Sequence, residues 1–207
     1  MTSIWDLFKK IETETPQVKP ITHLVVGLGN PGREYALTRH NAGFMALDRL
    51  AEAYHADVTR ARFRALTGEA DVGGKRVLLM KPQTFMNYSG EAVRDAADFY
   101  KIAAENILVI CDDVSFDVGR LRVRRKGSDG GQKGLRSIIY QLRSDSFPRI
   151  RLGVGKKPDG WDLADWVVGR LPETDREAFS GAIDRAIGAV PLILNGEIER
   201  AMSECNG

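Results

Sequence analysis

Long apolar runs are missing from this 207-residue chain. The longest, such as LLM and VPLIL, fall far short of the roughly 20 apolar residues that span a bilayer, so no helical membrane segment is expected. No basic stretch followed by an apolar core opens the sequence, and no secretory signal is expected either. Cysteine is scarce. Cys111 and Cys205 lie far apart without metal-ligand spacing, which excludes a disulfide framework and points to a reduced, cytoplasmic protein. The G-x-S-x-G elbow of serine esterases is absent, as are internal repeats and low-complexity tracts. What remains is an ordinary soluble composition, 43% hydrophobic and 28% charged, long enough for one good α/β core.

Acidic charge is what one particular segment lacks. From Arg120 to Lys157 there are twelve basic residues and only two acidic ones, Asp129 and Asp145, in a chain whose net charge is only +2. Such concentration is the footprint of a polyanionic partner, nucleic acid above all.

Along the chain, Ile4, Leu7, Phe8 and Ile11 fall at helical spacing, and TPQVKP reads as an extended linker. Residues 1–20 are therefore expected to form an amphipathic helix and linker, with one α/β domain from 21 to 207. LVVGL (24–28) is a buried strand leading into GLGNPG, which matches G-x-G-x-x-G. The dinucleotide reading fails on context, because Pro31 removes an N–H and biases Asn30 away from helical geometry. The turn instead presents Asn30. RHNAG (39–43) then opens a helix running to about Tyr54, with Asn41 placed to cap it and His40 at the rim of the sheet.

FRALTGEADV and RVLLMK read as two strands joined at Gly73-Gly74, ending in KPQTFMNYSG with Asn87 just before a helix over 89–100. ILVICDD is an apolar strand ending in Asp112 and Asp113, and one of the pair is placed to bond the His40 imidazole. GRLRVRRK alternates apolar residues with arginines, and the glycines of GSDGGQKG precede a helix over 135–142, a setting that suits anion binding. RIRLGVG is a further strand. A final helix is expected to begin at the capping box Thr174-x-x-Glu177 and to kink or end at Pro191.

Taken together, LVVGLGNPGREYALTRHNAG, KPQTFMNYSG, ILVICDD, GSDGG with GLRSI, and RIRLGVG resemble the bacterial-type peptidyl-tRNA hydrolase family. The resemblance covers nearly the whole chain beyond the N-terminal segment. It implies a single α/β globule with a twisted, mixed sheet between helices, a monomer acting on peptidyl-tRNA without metal or cofactor. It also implies His40 as general base, Asp112 as its support, and Asn30 at the catalytic centre. Asn30 and Asn87 would hold the peptide and the 3′ end, with Tyr35 and Met86 lining the cleft and Asn41 beside them. Arg124 and Arg151 would clamp the tRNA 5′ phosphate. An imidazole of ordinary pKa, about 6.5, is mostly neutral at pH 7 and able to take a proton. One departure stands out: the family usually reads GGHNG where this chain has GGQKG, so that Gln132 and Lys133 replace a histidine and an asparagine. Lys133 can donate but not accept. Some relatives with this fold are non-catalytic RNA-binding splicing cofactors, which sets a second reading beside the enzyme.

Overall fold

The computed structural model describes residues 19–206. The expected N-terminal helix and most of its linker lie outside the described residues. Seven strands form one mixed sheet: β1 (His23–Gly27), β2 (Arg60–Arg62), β3 (Ala65–Val72), β4 (Lys75–Pro82), β5 (Ile107–Asp113), β6 (Leu121–Arg124) and β7 (Arg149–Gly153). Their order is β2-β3-β4-β1-β5-β7-β6. The helices are α1 (Ala42–Ala53), α2 (Ser89–Tyr100), α3 (Lys133–Leu142), α4 (Leu163–Val168), α5 (Arg176–Leu194) and α6 (Ile198–Cys205).

The period-two alternation of strands divides the core in two. Val25, Leu79, Leu108 and Ile110 face α1, α5 and α6, while Leu24, Val26, Met80 and Val109 face α2 and α3. Both faces are covered, which explains why β1 and β5 are apolar throughout.

β1 lies between β4 and β5 and runs parallel to both. The chain leaves β1 for β4 on one side, then crosses back to β5 on the other. At such a switch the strand ends open a crevice, and Asn30 and Asp112 follow or close the two strands that border it.

The glycines of GLGNPG and RHNAG explain how α1 reaches that crevice. A Cβ on Gly27 would stand 2.3 Å from the Gly43 carbonyl oxygen, and one on Gly43 would stand 2.2 Å from that of Ile110. Helix and strand backbones are in direct contact there. No helix begins among the glycines of GLGNPG; α1 starts ten residues after Gly32.

Several local expectations need correction. Asn41 makes no side-chain cap bond to α1, because its amide is engaged elsewhere. The Thr174 capping box does not form: a 3₁₀ turn over Glu173–Asp175 precedes α5, which has no side-chain cap. Pro191 lies inside α5, which runs on to Leu194, and α6 follows it. A proline costs a helix interior about 3 kcal/mol, but Val190, Ile193 and Leu194 around it are buried in the core and outweigh that cost. The strand FRALTGEADV is shorter than expected, since Phe63 and Arg64, both at φ +52°, make the turn between β3 and a short edge strand, β2.

Gly27→Ala should overpack the α1–β1 contact and cost about 1–3 kcal/mol. Thermal melting of the variant should show this as a Tm lowered by several degrees, roughly 2–4 °C per kcal/mol.

Candidate functional site

Three consecutive residues of the 3₁₀ turn Arg39–Asn41 serve three different partners. Arg39 is buried and donates to the carbonyls of Val154 and Arg170, at 3.2 and 2.8 Å. Its guanidinium lies 3.7 Å from the Trp166 ring centroid, and burial pulls its pKa below the usual range. It thereby holds α4, which carries Trp166, against the site. Asn41 faces the other way. Its Oδ1 accepts the Asn30 N–H at 2.9 Å and its Nδ2 donates to the Asn30 carbonyl at 3.0 Å, so both ends of the amide fix the backbone of one residue.

Between them His40, with 12% of its side chain exposed, places Nδ1 2.9 Å from Asp112 Oδ2. An ionised carboxylate only accepts, so Nδ1 carries the hydrogen and Nε2 is left as the basic nitrogen.

The two aspartates at the end of β5 point to opposite faces, as neighbours in a strand must. Asp112 turns to His40. Asp113 turns to Arg151, whose Nε is 2.8 Å from Asp113 Oδ2 but too poorly aligned for a hydrogen bond, so the contact is an ion pair. Arg151 also donates to the Gly130 carbonyl at 3.3 Å.

Asn30, fixed by Asn41, accepts the Met86 N–H on its Oδ1 at 2.8 Å. That bond steadies an unusual backbone, since Phe85 sits at φ +56°, ψ 160°, a region that residues with a Cβ seldom occupy. Strain at a cleft wall marks a segment that the surroundings hold in place. Asn30 Nδ2 has no protein partner among the described residues.

These groups converge on a cleft of about 390 Å³. Asn30, His40, Met86, Asn87, Asp112, Lys133 and Arg151 all line it. Phe85, half exposed, also lines it, and Tyr35 stands outside against the Phe85 ring with centroids 6.5 Å apart. Asn41 lies behind the wall, buried. Arg124 is away from the cleft, exposed on edge strand β6 with no carboxylate partner among the described residues.

Two residues that matter here had no assigned role in the sequence. Gln132 donates from Nε2 to Asp112 Oδ1 at 2.9 Å and caps α3 through the Leu135 N–H. Arg149, 1% exposed, donates to the carbonyls of Gly127, Ser128, Asp145 and Phe147 and so braces the glycine loop before α3. Burial lowers its pKa from the usual arginine range.

The basic segment is therefore partly consumed by the fold. Arg125 pairs with Glu199, Arg136 with Asp129 and Lys156 with Asp117. Arg120, Arg122, Arg124, Lys126, Lys133 and Arg143 have no acidic partner among the described residues. Among those residues, too, no group of three or more His, Cys, Asp or Glu side chains is placed to hold a metal, and no helix is long and apolar enough to cross a membrane.

The sequence profile of the family described as Peptidyl-tRNA hydrolase matches residues 24–207. A similar protein of that name from Caldanaerobacter subterraneus subsp. tengcongensis is 50% identical over 185 residues, covering 89% of this chain and 100% of that protein. One from Lachnospira eligens is 49% identical over the same coverage. The solved structure of peptidyl-tRNA hydrolase from Acinetobacter baumannii is similar with a TM-score of 0.85 at 36% identity, over 92% of this chain and 98% of that one.

Asn41→Ala would leave the part-buried N–H and carbonyl of Asn30 without that partner, at a cost of up to about 1–3 kcal/mol for each. Urea unfolding should register that loss, and unchanged stability would mean that water replaces the amide.

Proposed function

The chain belongs to the peptidyl-tRNA hydrolase family, and on that footing we propose that His40 is the general base of its hydrolytic reaction. The substrate is the ester joining a peptide to the 3′ ribose of tRNA, and the products are free peptide and free tRNA. The observation that carries this reading is the 2.9 Å bond from His40 Nδ1 to Asp112, which leaves Nε2 as the proton acceptor on a residue that lines the cleft. Water loses its proton to Nε2 as its oxygen bonds the ester carbonyl carbon. The imidazolium returns that proton to the ribose 3′ oxygen as the carbonyl–O3′ bond breaks. Asp112 keeps the productive tautomer and stabilises the imidazolium that forms. A positioned base with well-placed donors suits an ester, whose alkoxide leaving group departs far more readily than an amide nitrogen.

Asn30 Nδ2 and Asn87 donate to the peptide and the 3′ end. Met86, with Tyr35 and Phe85 at the mouth, offers apolar surface to the last nucleotide or the peptide. Lys133, the first residue of α3, lines the same cleft. Its ammonium, with the helix N-terminus behind it, stabilises negative charge developing on the ester carbonyl. Because Lys133 cannot accept a hydrogen bond, Asn30 or a backbone carbonyl must receive the second hydrogen of the attacking water. Arg124 and the other unpaired cations of the basic segment hold the tRNA phosphates. Arg151 lies closer in, its charge already balanced by Asp113, so it positions rather than attracts.

A non-catalytic RNA-binding role would make use of the exposed arginines. It gives no reason for an imidazole at a cleft to be held by a buried carboxylate, and the similar proteins named above are all hydrolases.

The direct test is release of peptide from peptidyl-tRNA by the purified protein in EDTA, where turnover should persist. In the same assay Asp112→Asn should slow turnover by about 10²–10⁴-fold with the fold intact. Lys133→Ala should be slower than Lys133→Asn, which keeps a donor. Full speed in Asp112→Asn would dismiss the carboxylate's role. For the tRNA surface, Arg124→Glu should flatten the slope of log affinity against log salt by roughly 0.7–0.9 for each phosphate no longer neutralised, and raise KM more than it lowers kcat. An unchanged slope would place the tRNA elsewhere.

A further inference from the structure

We infer that Gln132 is a positioning residue for the reaction, its side-chain amide fixing the carboxylate that in turn aims His40. The inference rests on His40 acting as the base. Gln132 is 6% exposed, and both ends of its amide are committed. Its Oε1 accepts the Leu135 N–H at 2.8 Å, closing the first turn of α3. Only Nε2 then remains for the carboxylate. It donates to Asp112 Oδ1 at 2.9 Å and lies 3.1 Å from Met86 Sδ.

Asp112 therefore has one oxygen on His40 and the other on Gln132. A single anchor would leave the carboxylate free to rotate about its Cβ–Cγ bond; two anchors on its two oxygens stop that rotation. The amide also bonds the ionised form of Asp112 preferentially, since an –NH₂ group donates and a carboxylate accepts. It does so without titrating, whereas a histidine in its place would change charge across the working pH range. Gln132 thus ties the β5 end, which aims the base, to the helix that carries Lys133. Weak reasons for a buried glutamine are easy to find, but a simple helix cap needs only Oε1. The second bond is the informative one.

Gln132→Glu separates the two bonds. Its carboxyl still accepts from the Leu135 N–H but donates to Asp112 only while protonated. At low pH the paired carboxyls share a proton and the contact survives; as pH rises both ionise and repel. The measurement is kcat for peptide release, as the ratio of variant to unsubstituted protein between about pH 5.5 and pH 9. The ratio should fall with rising pH by roughly tenfold to a hundredfold, the cost known for losing an orienting partner in metal sites, with KM little changed. A ratio that does not change with pH overturns the proposal and leaves Gln132 a helix cap alone.

A second measurement needs neither that variant's folding nor any turnover. In ¹⁵N NMR of the unsubstituted protein the Gln132 side-chain amide protons should exchange slowly, and Asp112→Asn should shift them. Fast exchange with no response to Asp112→Asn overturns the inference. Full turnover in His40→Ala would instead remove the base while leaving this amide coupling in place, so the two failures are distinct.

Discussion

A side chain on Gly43 would collide with the carbonyl of Ile110, and one on Gly27 with the carbonyl of Gly43. The start of α1 therefore lies directly on the ends of β1 and β5. Leu28 N–H donates to Ile110 at 2.9 Å and Phe44 N–H to Leu28 at 3.2 Å, so the backbones of loop, helix and strand are joined there. The meeting of His40 with Asp112, and of Asn41 with Asn30, follows from this close approach. That approach sets the turn Arg39–Asn41, which runs straight into the helix, within reach of Asp112 on one side and Asn30 on the other. Were the helix a side chain's width further out, the imidazole and the carboxylate would no longer meet. Of the glycines that mimic a nucleotide-binding fingerprint, Gly27 and Gly29 serve close packing against α1, and Gly32, at φ +116°, serves the turn.

Much of this was legible in the order of residues, but not all of it for the same reason. The α/β class followed from apolar runs alternating with helical spacing, and the mixed sheet from the family resemblance. Asn30 in its turn, His40 at the rim of the sheet and the Asp112–Asp113 pair stood out from the residues themselves; their individual roles came from the family resemblance. Periodicity alone predicts that Asp112 and Asp113 diverge without saying which one meets the imidazole. Asn41 was legible as a polar residue at a helix start and was misread as a cap, because local rules see only the helix and not the neighbouring turn that claims the amide. Gln132 stood out only as a departure from the family pattern, and its role escaped for the opposite reason. Glutamine is a poor N-cap by preference, so nothing local marks it, and its second partner is 20 residues away.

The arginines teach a related lesson about charge. Composition treats the twelve basic residues of 120–157 as equivalent, yet β7 lies between β5 and β6, so its side chains meet covered faces. Arg149 and Arg151 are drawn inward, one braced by carbonyls and the other by Asp113, while Arg122 and Arg124 on the edge strand keep solvent beside them. Strand order decides which cations remain for a polyanion, and strand order is a long-range property that no window of sequence contains. The net attraction toward RNA is correspondingly smaller than a count of charges suggests, and more localised.

The central claim is that a neutral His40 imidazole accepts the proton of the attacking water. Its most direct test is chemical rescue of His40→Ala, measured as single-turnover peptide release with and without free imidazole at fixed tRNA saturation. The account predicts that the variant binds tRNA normally, turns over slower by about 10²–10⁴-fold, and regains part of that loss as imidazole is added. Turnover at the unsubstituted rate without imidazole would contradict it.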